Sequence, residues 1–241
     1  MEVVILAAGQ AIRLRPLTDD RPKCLLEVDG RTILSRAVGL LVERGLDRIT
    51  IVDGYRGEMI RAALAAEFPG VGFRFVANAD FATTNNAWSL LLAEGLRPGP
   101  MLLLDADIVF DGGVLDLLLA HSAANRLALR TRGELGQEEM KVLLDGQGRV
   151  QALGKELDPD AAAGESVGIE IFGADFVAAL WPVLRRRLHV ERRKDEYYEE
   201  AFVELIQAGQ SVAAVDIGGL SCREIDTVED LAAARAEFGA A

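Results

Sequence analysis

The first 125 residues repeat one pattern that leaves few architectures open: a short β-branched apolar run, a turn, then a helix-length amphipathic segment. The run Val3 to Ala7 leads through a Gly-containing turn to Thr32, which precedes the helical stretch Ile33 to Glu43, and Gly45 closes it. The same order returns with Ile49 to Val52 and Gly57 to Phe68, with Phe73 to Ala77 and Asn86 to Glu94, and with Met101 to Leu104 and Val114 to His121. Strands alternating with helices of this length specify a Rossmann-like α/β fold, with a mostly parallel, mixed central sheet covered by helices on both faces. Past residue 125 the texture changes to short alternating segments, Lys141 to Leu144, Val150 to Leu153 and Ser166 to Phe172, separated by turns such as Asp145-Gly146-Gln147-Gly148. These predict a small antiparallel insertion. Helices are expected from Ala174 to Leu188 and from Glu196 to Ala208, then a strand from Val212 to Asp216 and a last helix over about 227–238. With no repeat and no Pro- or Ser-rich linker, the 241 residues read as a single domain, with one part over about 1–125 and a second over about 126–222.

Composition narrows the function. A net charge of −12 repels nucleic acid and anionic lipid at long range, so neither is expected as a partner. The longest apolar runs, such as Val114 to Ala120, fall well short of the roughly 18 residues a membrane-spanning helix needs. The N-terminus enters its apolar run without a basic lead or a cleavage region, the pattern expected of a cytoplasmic protein. Two cysteines (Cys24, Cys222) and two histidines (His121, His189) are too few for a Cys/His zinc site or a disulfide framework. Monomer and homodimer both stay open.

Chemistry concentrates in the loop that leaves the first strand: Leu6-Ala7-Ala8-Gly9-Gln10-Ala11-Ile12-Arg13-Leu14-Arg15-Pro16-Leu17-Thr18, ending in Pro22-Lys23. In open α/β sheets ligands bind at that end of a strand, and a Gly-containing turn lets backbone N–H groups approach a phosphate. One glycine is too few for the dinucleotide signature, and the Gly-Lys-Ser/Thr of a Walker A loop is absent. The residues alone also allow a plain structural turn. Later, Leu102-Leu103-Leu104-Asp105-Ala106-Asp107 is an apolar strand ending in two carboxylates, and Glu224-Ile225-Asp226-Thr227 brings more acidic groups at the end of a short strand. Two carboxylates from separate strand ends suit Mg²⁺. The residues alone favour a helix cap for Asp226, because Thr227 to Asp230 has the form of a capping box, although the cap can also come from Thr227 and leave Asp226 for a metal.

The loop with Lys23 resembles the signature of the sugar-phosphate nucleotidylyltransferase superfamily, L-A-A-G-x-G-x-R-L-x-P-L-T followed by P-K. It departs once, at Ala11, where the family has Gly; a methyl group fits there if φ is negative. The resemblance implies that Leu6 to Ala11 and Asp105 bind the nucleotide, that Arg13 and Lys23 hold its phosphates, and that Asp107 and Asp226 bind Mg²⁺. Three further stretches, Ala82 to Leu90, Glu138 to Val142 and Asp195 to Ala201, resemble the branch of CTP:phosphocholine cytidylyltransferases and related enzymes. By that resemblance Asn85, Asn86 and Ser89 lie near base and ribose, and Lys141 and Lys155 approach an acceptor phosphate. Glu170, Glu196, Tyr197 and Tyr198 complete the acceptor side. Capping of the helix that follows is an equal reading of Asn85 and Asn86. For a quaternary ammonium the obvious rings and negative charges are Tyr197, Tyr198, Trp88, Glu196 and Glu199; the segment 131–137 offers no aromatic ring, while carboxylates and amides are abundant.

The expected reaction joins CMP from CTP to a small phosphorylated or phosphonate acceptor, with release of pyrophosphate. Three other readings compete. A sugar-1-phosphate uridylyl- or thymidylyltransferase would prefer UTP or dTTP, and a non-catalytic nucleotide sensor is suggested by Ala11. Gly164-Glu165-Ser166-Val167-Gly168 has the form of a hydrolase elbow, but a loop precedes the serine and an alternating strand follows it, the wrong context for a nucleophile.

Overall fold

The computed structural model describes residues 1–131 and 135–239; residues 132–134, part of the ring-free segment 131–137, lie outside them. The chain opens with β1 (Glu2–Ala7), and in the loop after it β2 (Glu27–Val28) and β3 (Arg31–Thr32) form a small antiparallel pair before α1 (Ile33–Glu43). Thr32 caps α1, its hydroxyl accepting from the Ser35 N–H. There follow β4 (Ile49–Asp53), α2 (Gly57–Glu67), β5 (Arg74–Ala77), α3 (Asn86–Leu92), β6 (Met101–Asp105), β7 (Ile108–Phe110) and α4 (Gly113–Ala120). The predicted strand–helix units are all present, shifted by a residue or two at their ends. The second part contains β8 (Arg126–Arg130), β9 (Lys141–Leu144), β10 (Val150–Gly154), β11 (Gly164–Phe172), α5 (Ala174–Arg185), α6 (Glu199–Gln207), β12 (Ala213–Asp216) and β13 (Cys222–Glu224), and α7 (Val228–Phe238) is the last element among the described residues.

Among the described residues one nine-stranded sheet runs β10-β9-β11-β6-β1-β4-β5, with β8 paired to β11 and β12 to β8. β6, β1, β4 and β5 are parallel. The antiparallel additions of the second part are continuous with this sheet, because β11 lies against β6 over Ile169 to Phe172. β12 departs from the antiparallel pattern and runs parallel to β8. The predicted helix from Ala174 widens at its end into a π-helical turn, Arg186–Val190. The predicted helix from Glu196 begins three residues later, with Glu196 outside it.

Strand sequences apolar at every position reflect burial on both faces. In β1, Val3 and Ile5 pack with α1, α2 and α4 on one face, and Val4 and Leu6 with α3, α5 and α6 on the other. Each such side chain contributes about 1.5–3 kcal/mol by leaving water. A third cluster joins Leu14, Leu26, Val28 and Ile33 to Ile225, Leu231 and Ala234, so that the end of the chain clamps the loop after β1. Leu14 has no exposed surface. A loop of this kind is therefore a fixed part of the fold, with its polar residues held in place around a buried anchor.

Candidate functional site

Strand register sets the geometry. Leu6 lies opposite Asp105 in the β1–β6 pair, and the Ala106 N–H donates to the Leu6 carbonyl (3.1 Å), so the two strands release their chains side by side at their carboxyl ends. β13 pairs antiparallel with β7, placing Glu224 opposite Ile108, and the Ile225 N–H donates to the Asp107 carbonyl (3.0 Å). Asp107, Glu224 and Asp226 consequently offer carboxylate oxygens within 4.8 Å of one another. Thr227 takes the capping role: its side chain accepts from the Asp230 N–H while Asp230 accepts from the Thr227 N–H, which leaves the Asp226 carboxylate for other partners.

Those partners are the cations of the first loop. Lys23 Nζ bridges Asp107 (2.7 Å) and Asp226 (2.8 Å), and Arg13 Nη2 donates to Asp226 (2.6 Å). Burial alone would lower the Lys23 ammonium, but the Asp107 and Asp226 charges outweigh it and hold its pKa above the usual lysine range. Burial works against the ionised form of Asp226, and Lys23 and Arg13 overcome it, leaving this carboxyl below its ordinary value. Leu6, Ala7, Gly9, Ala11, Lys23 and Asp107 line a cavity of about 100 Å³ at this end. Ala8 and Gln10 lie outside its lining, the Ala8 carbonyl accepting from the Tyr55 N–H (3.1 Å).

Ala11 does not meet the condition of a negative φ. It sits at φ 48°, ψ 55°, in the left-handed region, with its carbonyl accepting from the Leu14 N–H (3.0 Å) and the Thr18 hydroxyl (2.9 Å). The backbone keeps the conformation that glycine adopts freely, and the alanine carries the strain, about 1–2 kcal/mol.

A second cavity, about 80 Å³, shares Asp107 with the first and extends to Asn86, Asp105, Lys155, Tyr197 and Glu199. Gly168 makes room here: β11 kinks at its φ of +70°, where a Cβ would stand 2.9 Å from an Asp105 oxygen. Asn86 accepts from the Tyr198 N–H (2.9 Å), pinning the segment that carries both tyrosines. Tyr198 is fully buried and donates its hydroxyl to Asp105 (2.8 Å), while the half-exposed Tyr197 ring lies under Lys155 Nζ (4.9 Å). Lys155 also reaches Glu138 (3.4 Å).

The structure does not bring every expected residue to these cavities. Lys141 is buried with Nζ donating to the Lys155 carbonyl (2.6 Å), so it braces the chain behind Lys155. Glu196 is held by Arg187 through two bonds (2.9 and 3.0 Å). Asn85 is the N-cap of α3, Ser89 Oγ accepts from Asn78 (3.1 Å) in the interior, and Glu170 is buried in β11 with the Ser166 hydroxyl donating to it (3.3 Å). Ser166 itself lies within a strand, as its sequence context predicts.

One acidic residue, Glu224, was not singled out from the sequence, and Glu199 was named there only as negative charge beside Tyr197 and Tyr198. Glu224 stood in a stretch already recognised, two positions from Asp226, and the period of two along a strand puts both on one side. Glu199 is buried at the start of α6, three residues before buried Phe202 and six before buried Leu205, an acidic residue on the apolar stripe. Burial pushes its carboxyl up to about 8. Burial, then the charge of Asp105, likewise raises Glu170 well above the carboxylate range.

A larger cavity of about 440 Å³ opens at the amino ends of the parallel strands, between Arg48, Arg74 and Arg97. That is the end away from the two loops described above, and open α/β sheets bind ligands at the other.

Comparison with known proteins shows the family of the chain and the likeness of its fold. The model of the MobA-like NTP transferase domain matches residues 3–191. The chain is 26% identical to the CTP:phosphoglutamine cytidylyltransferase of Campylobacter jejuni, over 96% of this chain and 98% of that one. It is 36% identical to the CMP-5'-(3-aminopropyl)phosphonate synthase of Streptomyces rubellomurinus, over 53% of this chain and 20% of that protein. The chain thus spans a minor part of that relative, and 48% of a Haloferax volcanii uridylyltransferase to which it is 34% identical. The solved structure of the CTP:phosphocholine cytidylyltransferase of Streptococcus pneumoniae superposes with a TM-score of 0.80 at 24% identity, over 98% of both chains, which establishes the likeness of fold.

Proposed function

Because the chain belongs to the MobA-like NTP transferase family, we propose that it is a cytoplasmic nucleotidyltransferase that moves CMP from CTP onto a small phosphorylated or phosphonate acceptor and releases pyrophosphate. The observation that carries this reading is the shared wall of the two cavities: Asp107 lines both, with Lys23 on one side and Glu199 on the other. A nucleotide in the first cavity and an acceptor in the second would meet at that wall.

An oxygen of the acceptor phosphate attacks the α-phosphorus of CTP; that P–O bond forms as the bond to the β-phosphate breaks, and pyrophosphate leaves with the electron pair. The attacking oxygen is already an anion at neutral pH, so no base has to remove a proton. The chain's task is to hold two anions together in line and to place positive charge where negative charge gathers. Arg13 and Lys23 serve the β- and γ-phosphates, and the backbone N–H groups around Gly9 to Ala11 cradle them. Lys155 faces the acceptor phosphate from the far side.

Asp107 Oδ1 is buried and has no hydrogen-bond partner among the described residues, and the donor set beside it is entirely carboxylate oxygen. This fits Mg²⁺, which Asp107 and Asp226 would hold, with Glu224 adjacent. When bound, the ion supplies Lewis-acid neutralisation of phosphate charge.

The test is pyrophosphate release measured with CTP, UTP, dTTP and GTP, each crossed with phosphocholine, aminoethylphosphonate, inositol phosphate, glycerol phosphate and hexose 1-phosphates. The proposal expects acceptor-dependent release that is fastest with CTP. Fastest release with UTP or dTTP and a hexose 1-phosphate would assign the chain to sugar activation. Tight CTP binding without release from any pair would make it a sensor.

A further inference from the structure

The second cavity has an imbalance that transfer of CMP does not use. Its lining includes the carboxylates of Asp105, Asp107, Glu165, Glu199 and Glu224. Asp107 is paired with Lys23, and Glu165 with Arg130 (3.2 Å). Lys155, the lysine of the lining, lies on Glu138 and the Tyr197 ring. Glu199 is different. Its side chain is more than nine-tenths buried, and its Oε2 has no hydrogen-bond partner among the described residues. It also stands outside the group of carboxylates close enough to share a metal ion. A buried carboxyl group without a partner is costly, and such groups persist where a ligand completes them.

The aromatic surroundings decide what kind of cation fits. Tyr197 supplies the ring in the lining, and its face is already covered by Lys155. Tyr198 packs against Phe202 with its hydroxyl committed to Asp105. Trp88 has Lys194 over its face at 4.9 Å and His189 against it, and does not line the cavity. A quaternary ammonium, which has no N–H, needs a cage of free aromatic faces. An ammonium with three N–H donors needs oxygen acceptors, and these the cavity has.

We propose that this cavity receives a primary ammonium group carried by the acceptor, and that Glu199 is the residue selecting it. The proposal rests on the transfer reading above and adds the substrate class to it. The acceptor is then a small zwitterion, its phosphate or phosphonate toward Asp107 and Lys155 and its ammonium toward Glu199.

The experiment compares kcat/KM, with CTP in excess, for three acceptors that differ only at the nitrogen end: phosphoethanolamine, phosphocholine and ethyl phosphate. The wild-type protein should prefer phosphoethanolamine over each of the others by about tenfold or more, as expected for a hydrogen bond to a charged group. In Glu199→Gln that preference should collapse toward one, and Glu199→Asp should keep its direction. Calorimetric CTP affinity of each variant reports on folding of the nucleotide end, and the wild-type ratios decide the substrate class even if a variant does not fold. Equal or faster use of phosphocholine or ethyl phosphate by the wild-type protein overturns the proposal, as does a folded Glu199→Gln with the preference intact. Absence of product from all three, alongside product from hexose 1-phosphates, overturns the transfer reading itself.

Discussion

At the nucleotide end of the cleft Lys23 lies between Asp107 and Asp226, and Arg13 closes on Asp226 from outside. At the acceptor end Glu199 keeps a buried oxygen with no partner among the described residues. The first region carries cations for its carboxylates within itself and leaves only the Asp107 Oδ1 oxygen without a partner among the described residues. On the proposal above, the second leaves its compensation to what it binds. A site meant for a polyphosphate must present cations; one meant for a cation must present carboxylates without satisfying them. Two cavities sharing one aspartate can therefore recognise opposite ends of a reaction between two anions.

The largest break in this contrast comes from Asp107→Ala and Asp226→Ala. Each should lower turnover by about a hundredfold or more, the usual loss for one preorganised contact at a reacting phosphate. Pyrophosphate release and circular dichroism would be measured together; near-normal rates in a folded variant would remove these residues from the chemistry. Lys23→Ala should follow, weakening CTP binding and also the fold, since two half-buried carboxylates lose their common cation. Discounted for partial exposure, that loss is on the order of 2 kcal/mol by urea denaturation at neutral pH.

The two ends should also answer pH with opposite signs. Asp226 has its folded value depressed, so its contribution to stability is present above the ordinary carboxylate range and lost as pH falls below it. Glu199 has its folded value raised to about 8, so the folded state retains a proton that the unfolded chain has released. Stability should then decline as pH rises from the ordinary carboxylate range toward 8. Thermal melts of the ligand-free protein should show this decline, and Glu199→Gln should flatten it by up to one proton. An unchanged slope would mean that Glu199 is already ionised. The smallest effect is expected at Ala11, where glycine relieves left-handed strain of about 1 kcal/mol. Ala11→Gly should raise Tm by about 2–4 °C.

The same contrast explains what could be read without coordinates. The parallel strands and the nucleotide end were legible because their signals are local: β1 and its loop place Arg13 and Lys23 within one continuous stretch, and Asp107 follows an apolar strand. Thr227 announced its cap, which freed Asp226. The acceptor end depends on pairing between distant segments. β8, which holds β11 and β12 together, has arginines at both ends and was not recognised as a strand. Lys141 was expected at the acceptor phosphate from the resemblance of the stretch Glu138 to Val142; its burial behind Lys155 follows from β9 pairing with β10 and β11. Glu196 was expected at the cavity, and Arg187, on the π-helical turn, holds it elsewhere. No periodicity reveals which of several acidic residues lacks a partner, because that is a property of all the strands at once.

The central claim is transfer between two bound anions, and ³¹P NMR of CTP, Mg²⁺ and phosphoethanolamine with catalytic protein observes it directly. The account predicts pyrophosphate together with two mutually coupled phosphorus signals of a new P–O–P linkage, both lost in Asp107→Ala. CMP and pyrophosphate appearing at the same rate without acceptor, and no coupled pair, would contradict it.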